Sequence, residues 1–245
     1  MTYVQEDILP YDSATPKGQQ VERMFDAIAH SYDKLNHWLS LGIDRRWRQK
    51  SIDALRSLPH RTILDLATGT GDFALLAQRR LLPESITACD LSENMMQIGR
   101  EKVKKAGLEE VIFFKREDGM KLSFSNETFD AVTIAYGVRN YQDLDQGLRE
   151  IHRVLRPGGH AVILELTAPH RQPMRSLFWL YSHAIMPTIG RLISKDRSAY
   201  RYLPATMEAF PQGEVMVNIL SKAGFSNVKF KRFTFGLSTM YLAAK

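Results

Sequence analysis

The sequence predicts an α/β fold in which helices cover both faces of a mostly parallel β-sheet. Along the 245 residues, the spacing of apolar side chains alternates between the period of strands and the period of helices. Strand-like runs that alternate with helical runs are typical of parallel sheets, whose strands are joined by helices. The length fits one main core, because domains commonly reach about 250 residues before they divide.

Five apolar runs define the parallel part of the predicted sheet. They cover Thr62–Leu66, Ile86–Cys89, Val111–Lys115, Phe129–Ala135 and Ala161–Leu166. The helices between them are expected over Asp72–Arg80, from the N-cap Ser92 to Lys105, and along the stripe of Leu144, Leu148, Ile151 and Leu155. We expect Pro157-Gly158-Gly159 to form the turn that ends the last of these helices and leads into the fifth strand.

Helices are predicted at the N-terminal end of the chain, and a hairpin is predicted at the other end. Apolar residues between positions 21 and 32 share one helical face, and a second helix is expected over Trp47–Leu58. We therefore divide the chain into an N-terminal arm with helices, 1–59, and a main domain, 60–245. Near the C-terminus a helix over 213–224 precedes Asn227–Phe235 and Ser238–Ala243, which are predicted to close the sheet as an antiparallel hairpin.

A helical insertion interrupts the alternation at about 168–211, after the fifth strand. This stretch has six basic and two acidic residues and so carries +4 of the net charge of +6. Its apolar face admits two interpretations: a cap that packs on the core, or an entrance for an apolar ligand with arginines beside anionic lipid head groups. The residues of this face are Met174, Leu177, Phe178, Tyr181 and Ile185.

Cysteine, histidine and hydropathy patterns exclude several classes of protein. The single cysteine, Cys89, forms no intrachain disulfide and is predicted to be a small core residue. The seven histidines show no zinc-binding spacing on one helix, so no metal is predicted. No apolar run approaches the roughly 18 to 20 residues that cross a bilayer, and the acidic start is unlike a signal peptide. A cytoplasmic location is expected.

A glycine-rich turn follows the first strand and precedes a helix. Such a turn lets backbone N–H groups approach a nucleotide or nucleoside. The segment 69–74 satisfies G-x-G-x-x-A, so an NAD-binding oxidoreductase stays open at this point. Asp90 is suited to a ribose hydroxyl with either ligand. Asp65 inside the first strand could orient the turn, and Asp118-Gly119 after the third strand could bond an adenine amino group.

These residues resemble the class I S-adenosylmethionine-dependent methyltransferases. The resemblance rests on Asp65-x-Ala67-x-Gly69-x-Gly71, Asp90, Asp118 and the Arg156-Pro157-Gly158-Gly159 segment. It implies a Rossmann-like, seven-stranded sheet that ends in an antiparallel hairpin, and S-adenosyl-L-methionine as the cofactor. The cofactor-binding residues that it implies are Asp65, Thr68, Gly69, Gly71, Asp90, Leu91, Asp118 and Gly119.

A closer resemblance covers nearly the whole chain. The segments that carry it are Tyr32-Asp33-Lys34-Leu35-Asn36, Leu39-Ser40, Trp47, Arg153-Val154-Leu155-Arg156-Pro157-Gly158-Gly159 and Leu164-Glu165-Leu166-Thr167. These segments resemble the menaquinone and ubiquinone biosynthesis C-methyltransferases. Three residues depart from the pattern of that family: Asp44 stands where many members have His, Arg156 replaces Lys and Thr167 replaces Ser.

This resemblance implies transfer of a methyl group to a ring carbon of reduced demethylmenaquinone, which gives menaquinol in menaquinone biosynthesis. The branch that also serves ubiquinone has an extra aromatic motif before its first helix, where this chain has Thr15-Pro16-Lys17-Gly18. A prenylated naphthoquinol is therefore the expected acceptor. A benzoquinol precursor of ubiquinone and a soluble phenol stay as alternatives.

Three residues are the catalytic candidates: Arg139, Asn140 and Tyr32. The resemblance places Arg139 and Asn140, at the exit of the fourth strand, on the substrate side, where a guanidinium could hold a phenolate. Alternatively, Arg139 caps the next helix or pairs with Asp143 or Asp145. Tyr32 and Asp33 could close over the site as part of a helical lid within 1–59, or Tyr32 could only continue the apolar face of its helix into the core.

The substrate assignment also bears on partners and location. Enzymes that methylate amino groups of nucleic acids resemble one another in an Asn/Asp-Pro-Pro-aromatic tetrad after the fourth strand. This sequence lacks that tetrad, so nucleic acid is not expected as a partner. The alternative is an RNA-binding protein that uses the basic insertion. Because a prenylated quinol resides in the bilayer, we expect peripheral contact with the inner face of the cytoplasmic membrane. A homodimer is left open.

Overall fold

A computed structural model describes residues 2–11, 14–185 and 197–245, with the side chains of 34–39, 183, 185 and 197 left out. Its centre is a seven-stranded sheet in the order β3-β2-β1-β4-β5-β7-β6. The first five strands pair in parallel and β7 is antiparallel to both of its neighbours, which confirms the predicted fold. The strands are β1 Thr62–Leu66, β2 Ser85–Asp90, β3 Ile112–Arg116, β4 Phe129–Ala135, β5 Leu155–Leu166, β6 Ser226–Phe233 and β7 Ser238–Ala244.

Helices surround the sheet at the predicted places. Ser92 caps α4 as expected, since its side chain accepts a hydrogen bond from the backbone N–H of Met95. A π-helical turn, Tyr181–Ile185, follows α6. The helices of the described residues are α1 Lys17–Leu39, α2 Asp44–Asp53, α3 Asp72–Leu81, α4 Glu93–Lys105, α5 Leu144–Val154, α6 Met174–Leu180, α7 Arg197–Ala209 and α8 Glu214–Lys222.

The second helix differs from its prediction, because α2 begins at Asp44 and ends at Asp53 instead of Leu58. After Asp53 the chain tightens, and the backbone N–H of Leu55 bonds to the carbonyl of Ile52 at 3.0 Å, three residues back. Leu55 is nevertheless fully buried. The apolar pattern therefore continues beyond the helix, which is why the pattern predicted too long a helix.

The predicted turn at Pro157-Gly158-Gly159 is also wrong, because β5 already begins at Leu155. The pairing of β4 with β5 shifts between Phe129 and Ala131, so residues 156–159 form an irregularity inside the ladder. Gly158 has φ +79, a conformation that glycine adopts without the steric cost of a side chain. Proline and glycine here mark a distortion of a strand and not its boundary.

Three apolar clusters fill the molecule. The first two contain the residues of the sheet and of its covering helices, such as Leu148 in one and Phe73 in the other. The third joins α1, through Met24 and Ile28, to Met95 of α4 and Tyr202 of α7. The N-terminal helix therefore packs against the main domain. No helix within the described ranges has the length and apolar character that crossing a membrane requires.

Candidate active site

Two adjoining cavities lie at the carboxyl ends of the central strands. The smaller has a volume of about 90 Å³ and the larger about 520 Å³. Ligands of open α/β sheets bind at this edge of the sheet. Phe25, Tyr32 and Tyr136 line both cavities. Molecules bound in the two spaces would therefore meet at this shared aromatic wall.

The glycine turn after β1 forms one side of the smaller cavity. Gly69 has φ +56, and a Cβ placed on it would meet nothing within 4 Å, so the space beside it is open. Its backbone N–H donates to Asp90 Oδ2 at 2.8 Å, and Asp90 Oδ1 accepts from the backbone N–H of Ser92 at 2.9 Å. Burial raises the pKa of Asp90 against these hydrogen bonds. The carboxylate at the end of β2 thus holds the turn that follows β1.

Asp65 supports the turn from behind and does not line the cavity. It is 1% exposed, and it accepts hydrogen bonds from the hydroxyls of Thr68 and Thr133, each at 2.6 Å. Burial raises the pKa of Asp65 to about 6, because the two hydroxyls compensate only part of the lost hydration. Of the predicted cofactor residues, Asp65, Thr68 and Gly71 lie outside the lining of the smaller cavity.

The buried Asp65 gives a pH-dependent prediction. Its folded-state pKa of about 6 lies above the ordinary value of 3.8, so protonation stabilises the folded state at low pH and this contribution is lost as the pH rises through 6. About two pH units correspond to roughly 3 kcal/mol. Between pH 4 and pH 7, the unfolding free energy of Asp65→Asn should rise relative to wild type by about that amount in urea titrations. A difference that stays constant with pH would contradict this account.

The other predicted cofactor residues line the smaller cavity. Asn140 joins them, and its Oδ1 is buried without a hydrogen-bond partner among the described residues, as is the hydroxyl of Tyr141. A Cβ on Gly119 would lie 2.5 Å from that hydroxyl, so glycine is needed for Tyr141 to reach its place. No motif or spacing in the sequence pointed to Tyr141. The predicted residues that line this cavity are Gly69, Asp90, Leu91, Asp118 and Gly119.

Helix α1 covers the smaller cavity and is fastened by three carboxylates. They stand at i, i+4 and i+11 and therefore share one face of the helix. Sequence reasoning found only Asp33, although this spacing was a usable signal. The pairs are Glu22 with Arg116 at 2.5 Å, Asp26 with the hydroxyl of Ser92 at 2.5 Å, and Asp33 with Lys102 and with the hydroxyl of Thr70, both at 2.6 Å.

The larger cavity has an almost wholly apolar lining. Side chains from α1, α6, α7 and the turn after β6 surround it, and Asp44 and Arg139 are the charged residues among the described residues that line it. The insertion contributes Met174, Leu177 and Phe178 from the face that the sequence singled out, whereas the side chain of Ile185 lies outside the described residues. Tyr181, from the same face, lines it as well.

Arg139 is buried in an ion pair that the sequence analysis did not foresee. Its Nη1 lies 2.7 Å from Glu165 Oε1, and Glu165 is wholly buried. Burial alone would lower the pKa of Arg139, but the charge and the hydrogen bond of Glu165, together with the nearby Tyr32 and Tyr202, outweigh this effect and raise it. The alternative of a cap or of pairing with Asp143 or Asp145 is wrong, because Asp143 caps α5 and Asp145 accepts from the hydroxyl of Tyr3.

The other two catalytic candidates occupy different walls. Asn140 lines the smaller cavity and is absent from the lining of the larger one, and its Nδ2 donates to the carbonyl of Tyr136 at 3.3 Å. Tyr32 lines both cavities and packs edge-on against Phe25, with ring centroids 5.9 Å apart. Tyr32 thus continues the apolar face of α1 and also reaches the site.

Asp44 lies on the wall of the larger cavity and was given no role by sequence reasoning. The hydroxyl of Ser40 donates to its Oδ1 at 2.8 Å, and Arg48 Nε lies 3.6 Å from its Oδ2. The Arg48 guanidinium also stacks over the ring of Tyr136 at 5.0 Å. The sequence did contain one signal for this residue, since Asp44 stands where many similar sequences have histidine.

The sheet order, the braced glycine turn and the open space beside Gly69 define a class I S-adenosylmethionine-dependent methyltransferase. The described residues contain no group of His, Cys, Asp and Glu side chains that could hold a metal ion. The chain matches the model of the ubiE/COQ5 methyltransferase family over residues 13–245. It therefore belongs to that family, as the sequence motifs indicated.

Curated relatives are similar to this chain over nearly its whole length. A protein of Bacteroides fragilis named demethylmenaquinone methyltransferase is 58% identical over 245 residues, which is 100% of each chain. A protein of the same name from Porphyromonas gingivalis is 41% identical over 98% of each chain. The ubiquinone/menaquinone biosynthesis C-methyltransferase UbiE of Geotalea daltonii is 40% identical over 94% of this chain and 98% of its own.

Solved structures share the fold at low sequence identity. The [4+2]-cyclase SpnF has a TM-score of 0.69 at 17% identity, with 95% of this chain and 97% of that chain covered. Phosphoethanolamine N-methyltransferase 2 of Haemonchus contortus, solved with S-adenosyl-L-methionine, has a TM-score of 0.66 at 15% identity and covers 95% of this chain and 60% of its own. These likenesses confirm the methyltransferase fold.

Proposed function

We propose that this enzyme transfers a methyl group from S-adenosyl-L-methionine to a ring carbon of demethylmenaquinol and so forms menaquinol in menaquinone biosynthesis. The observation that carries the proposal is the apolar cavity of about 520 Å³, which shares a wall with the smaller cavity. Among the described residues, its lining has one carboxylate and one guanidinium. A prenylated naphthoquinol is apolar except for its two hydroxyls, so it suits such a lining. The names of the Bacteroides and Porphyromonas relatives support the same acceptor.

The smaller cavity is proposed to hold the cofactor, which supplies a methyl group activated on a sulfonium. Asp90 is suited to the ribose hydroxyls, and the turn at Gly69 lets ligand atoms approach the backbone. Asp118 and Gly119 line the cavity together with Leu91 and with Tyr141, whose hydroxyl has no hydrogen-bond partner within the described part of the chain. Thr68 and Gly71 contribute by shaping the turn, and Asp65 by bracing it.

Helix α1 is proposed to act as a lid within an N-terminal unit, 1–59, on the methyltransferase domain, 60–245. The helix covers a cavity of only about 90 Å³, which is small for a nucleoside ligand. Its fastening carboxylates pair with side chains of the main domain. Opening these contacts would admit the cofactor, and closing them would exclude water from the site.

Arg139, Tyr32 and Asn140 are proposed to act on the substrate. The buried guanidinium of Arg139 can stabilise the negative charge that develops on a quinol oxygen, because it stays protonated. Tyr32 stands at the wall between the cavities and positions the ring beside the methyl donor. Asn140 lies on the cofactor side of that wall, in the lining of the smaller cavity.

The proposed reaction is tested by following a labelled methyl group. The purified protein is incubated in detergent with labelled S-adenosylmethionine and reduced demethylmenaquinone, and in parallel with a demethylated benzoquinol, a soluble phenol or bulk RNA. Label in the naphthoquinol alone is the expected result. Cofactor binding without transfer to the naphthoquinol would overturn the proposal, and equal label in both quinols would extend it to ubiquinone precursors, in line with the name of the Geotalea relative.

We also propose peripheral contact with the inner face of the cytoplasmic membrane, where the substrate resides. Exposed apolar side chains surround the larger cavity: Leu41 and Leu177 line it, and Phe235 is 80% exposed between the lining residues Thr234 and Leu237. Phe235 has φ +57, so the turn holds an aromatic side chain in solvent at a cost in backbone strain. Arg171, Arg175 and Arg201 of the insertion are exposed and suited to anionic lipid, whereas Arg191 and Lys195 lie outside the described residues.

Replacing Phe235 with asparagine should weaken this contact, since a polar side chain loses the transfer of an aromatic ring into the interface. We expect Phe235→Asn to reduce cosedimentation with vesicles of phosphatidylethanolamine and phosphatidylglycerol, and to slow methylation of a long-chain quinol in those vesicles. Activity on a short-chain, water-soluble quinol should be unchanged.

Leu82→Asn is the matched control for this experiment. Leu82 is 76% exposed with φ +52, and it follows α3 at the opposite edge of the sheet. Asparagine tolerates this backbone conformation at both positions. Equal losses of vesicle binding in the two variants would show that Phe235 has no special part in the contact.

A further inference from the structure

The remaining question of chemistry is which group removes the proton from the quinol hydroxyl. The ring carbon becomes nucleophilic when that hydroxyl is deprotonated, which requires a proton acceptor within hydrogen-bond reach of the oxygen. Arg139 cannot serve, because a guanidinium carries no acceptor and stays protonated in proteins. Burial raises the pKa of Tyr136 and of Tyr202, so both of these lining tyrosines remain neutral donors.

Among the described residues that line the larger cavity, Asp44 is the only carboxylate, and no histidine lines it. Asp44 is 8% exposed, so the carboxylate lies within the cavity wall and away from bulk water. Arg139, of opposite charge, is the other charged residue in the part of the lining that the structure describes. We propose that Asp44 is the general base that accepts the quinol proton, an inference that rests on the proposed function.

The surroundings of Asp44 hold its carboxylate in one orientation. The hydroxyl of Ser40 donates to Oδ1, and the guanidinium of Arg48 lies beside Oδ2 at the longer distance of 3.6 Å. Asp44 is also the first residue of the ten-residue helix α2, where the helix dipole favours a negative charge.

Asp44 and Arg139 would then have different roles in the reaction. The hydroxyl proton passes to a carboxylate oxygen of Asp44, and Arg139 stabilises the phenolate that remains. The ring carbon would gain the methyl group as the bond between that methyl group and the sulfonium sulfur breaks, with S-adenosylhomocysteine as the leaving group. It would then lose its own proton to water, which restores the aromatic ring. Asp44 returns its proton to the quinol oxygen and is again ionised. One proton is released in total for each methyl group transferred.

The isosteric variant Asp44→Asn tests this role. It can keep the hydrogen bond from Ser40 but it accepts no proton, so kcat on reduced demethylmenaquinone should fall by about 100-fold or more. The dissociation constant for S-adenosylmethionine should stay unchanged, because Asp44 is absent from the lining of the smaller cavity. A kcat within threefold of wild type would overturn the proposal.

Chemical rescue separates a base from a structural residue. In Asp44→Ala the space of the missing carboxyl adjoins the large cavity, so added formate should restore a measurable part of the lost activity. A purely structural role predicts no response to formate. Absence of rescue together with a lowered Tm of both variants would contradict the assignment.

Asp53→Asn is the matched control on the same helix. Asp53 ends α2 and pairs with Arg80 at 2.6 and 2.7 Å, away from both cavities. We expect it to lower thermal stability slightly and to leave kcat per folded enzyme unaltered. If wild type itself does not methylate the quinol, the proposed function fails and the base assignment fails with it; if wild type is active and Asp44→Asn is equally active, the base assignment alone fails.

Discussion

Replacing Gly69 with asparagine is expected to abolish binding of S-adenosylmethionine while the protein stays folded. A side chain at this position projects into the open space of the smaller cavity, because a Cβ there meets no other atom within 4 Å. Asparagine tolerates the φ of +56, so the cost to folding should be small. We predict that calorimetric titration shows a dissociation constant at least about 100-fold higher, which corresponds to about 2.7 kcal/mol.

Gly107→Asn is the control for this loss. Gly107 has φ +65 after α4, and a Cβ there also meets nothing within 4 Å, so the backbone demand is matched. It does not line either cavity. The control should bind the cofactor like wild type. Retained binding by Gly69→Asn would mean that the cofactor does not occupy the space beside the glycine turn.

The second large effect concerns the buried pair of Arg139 and Glu165. Glu165→Gln leaves an uncompensated charge on Arg139 in the interior, and we expect it to lower the unfolding free energy by about 3 to 5 kcal/mol. The double variant Arg139→Met with Glu165→Met removes both charges and should recover most of that stability. It should nevertheless be inactive on the quinol, because the cation at the cavity wall is gone.

Two measurements separate stability from chemistry in this pair. Urea unfolding gives the free energies of the single and double variants, and methyl transfer at a temperature where both are folded gives kcat. A double variant that is stable and retains wild-type kcat would show that Arg139 has no role in catalysis. A double variant that stays as unstable as Glu165→Gln would show that the pair is needed for folding itself.

Much of the fold was predictable because its signals are local. The strands β1 to β4 are short apolar runs between turn residues, and their predicted bounds lie within one residue of the observed ones. The helix cap at Ser92 also follows from residues close in the chain. The β5 irregularity was not predictable, because Pro157 and Gly158 signal a turn equally well whether the strand stops or only bends.

The site was predictable in its parts and not in its arrangement. Short motifs indicated Gly69, Asp90 and Arg139, but the partner of Arg139 is Glu165, 26 residues along the chain, and only the pairing of strands brings the two together. The position of Tyr141 depends on the absence of a side chain at Gly119, which periodicity does not report. Asp44 lines the cavity because the fold of α2 directs its first residue there.

The central claim is that the quinol and the cofactor occupy two cavities that meet at Tyr32 and Tyr136. A crystal structure of the protein with S-adenosylhomocysteine and a menaquinol tests this directly. The account predicts the naphthoquinol ring in the larger cavity between Asp44 and Arg139, the tail passing Leu177, and the sulfur facing the ring across the shared wall. A quinol bound outside that cavity, or a cofactor away from Gly69, would contradict it.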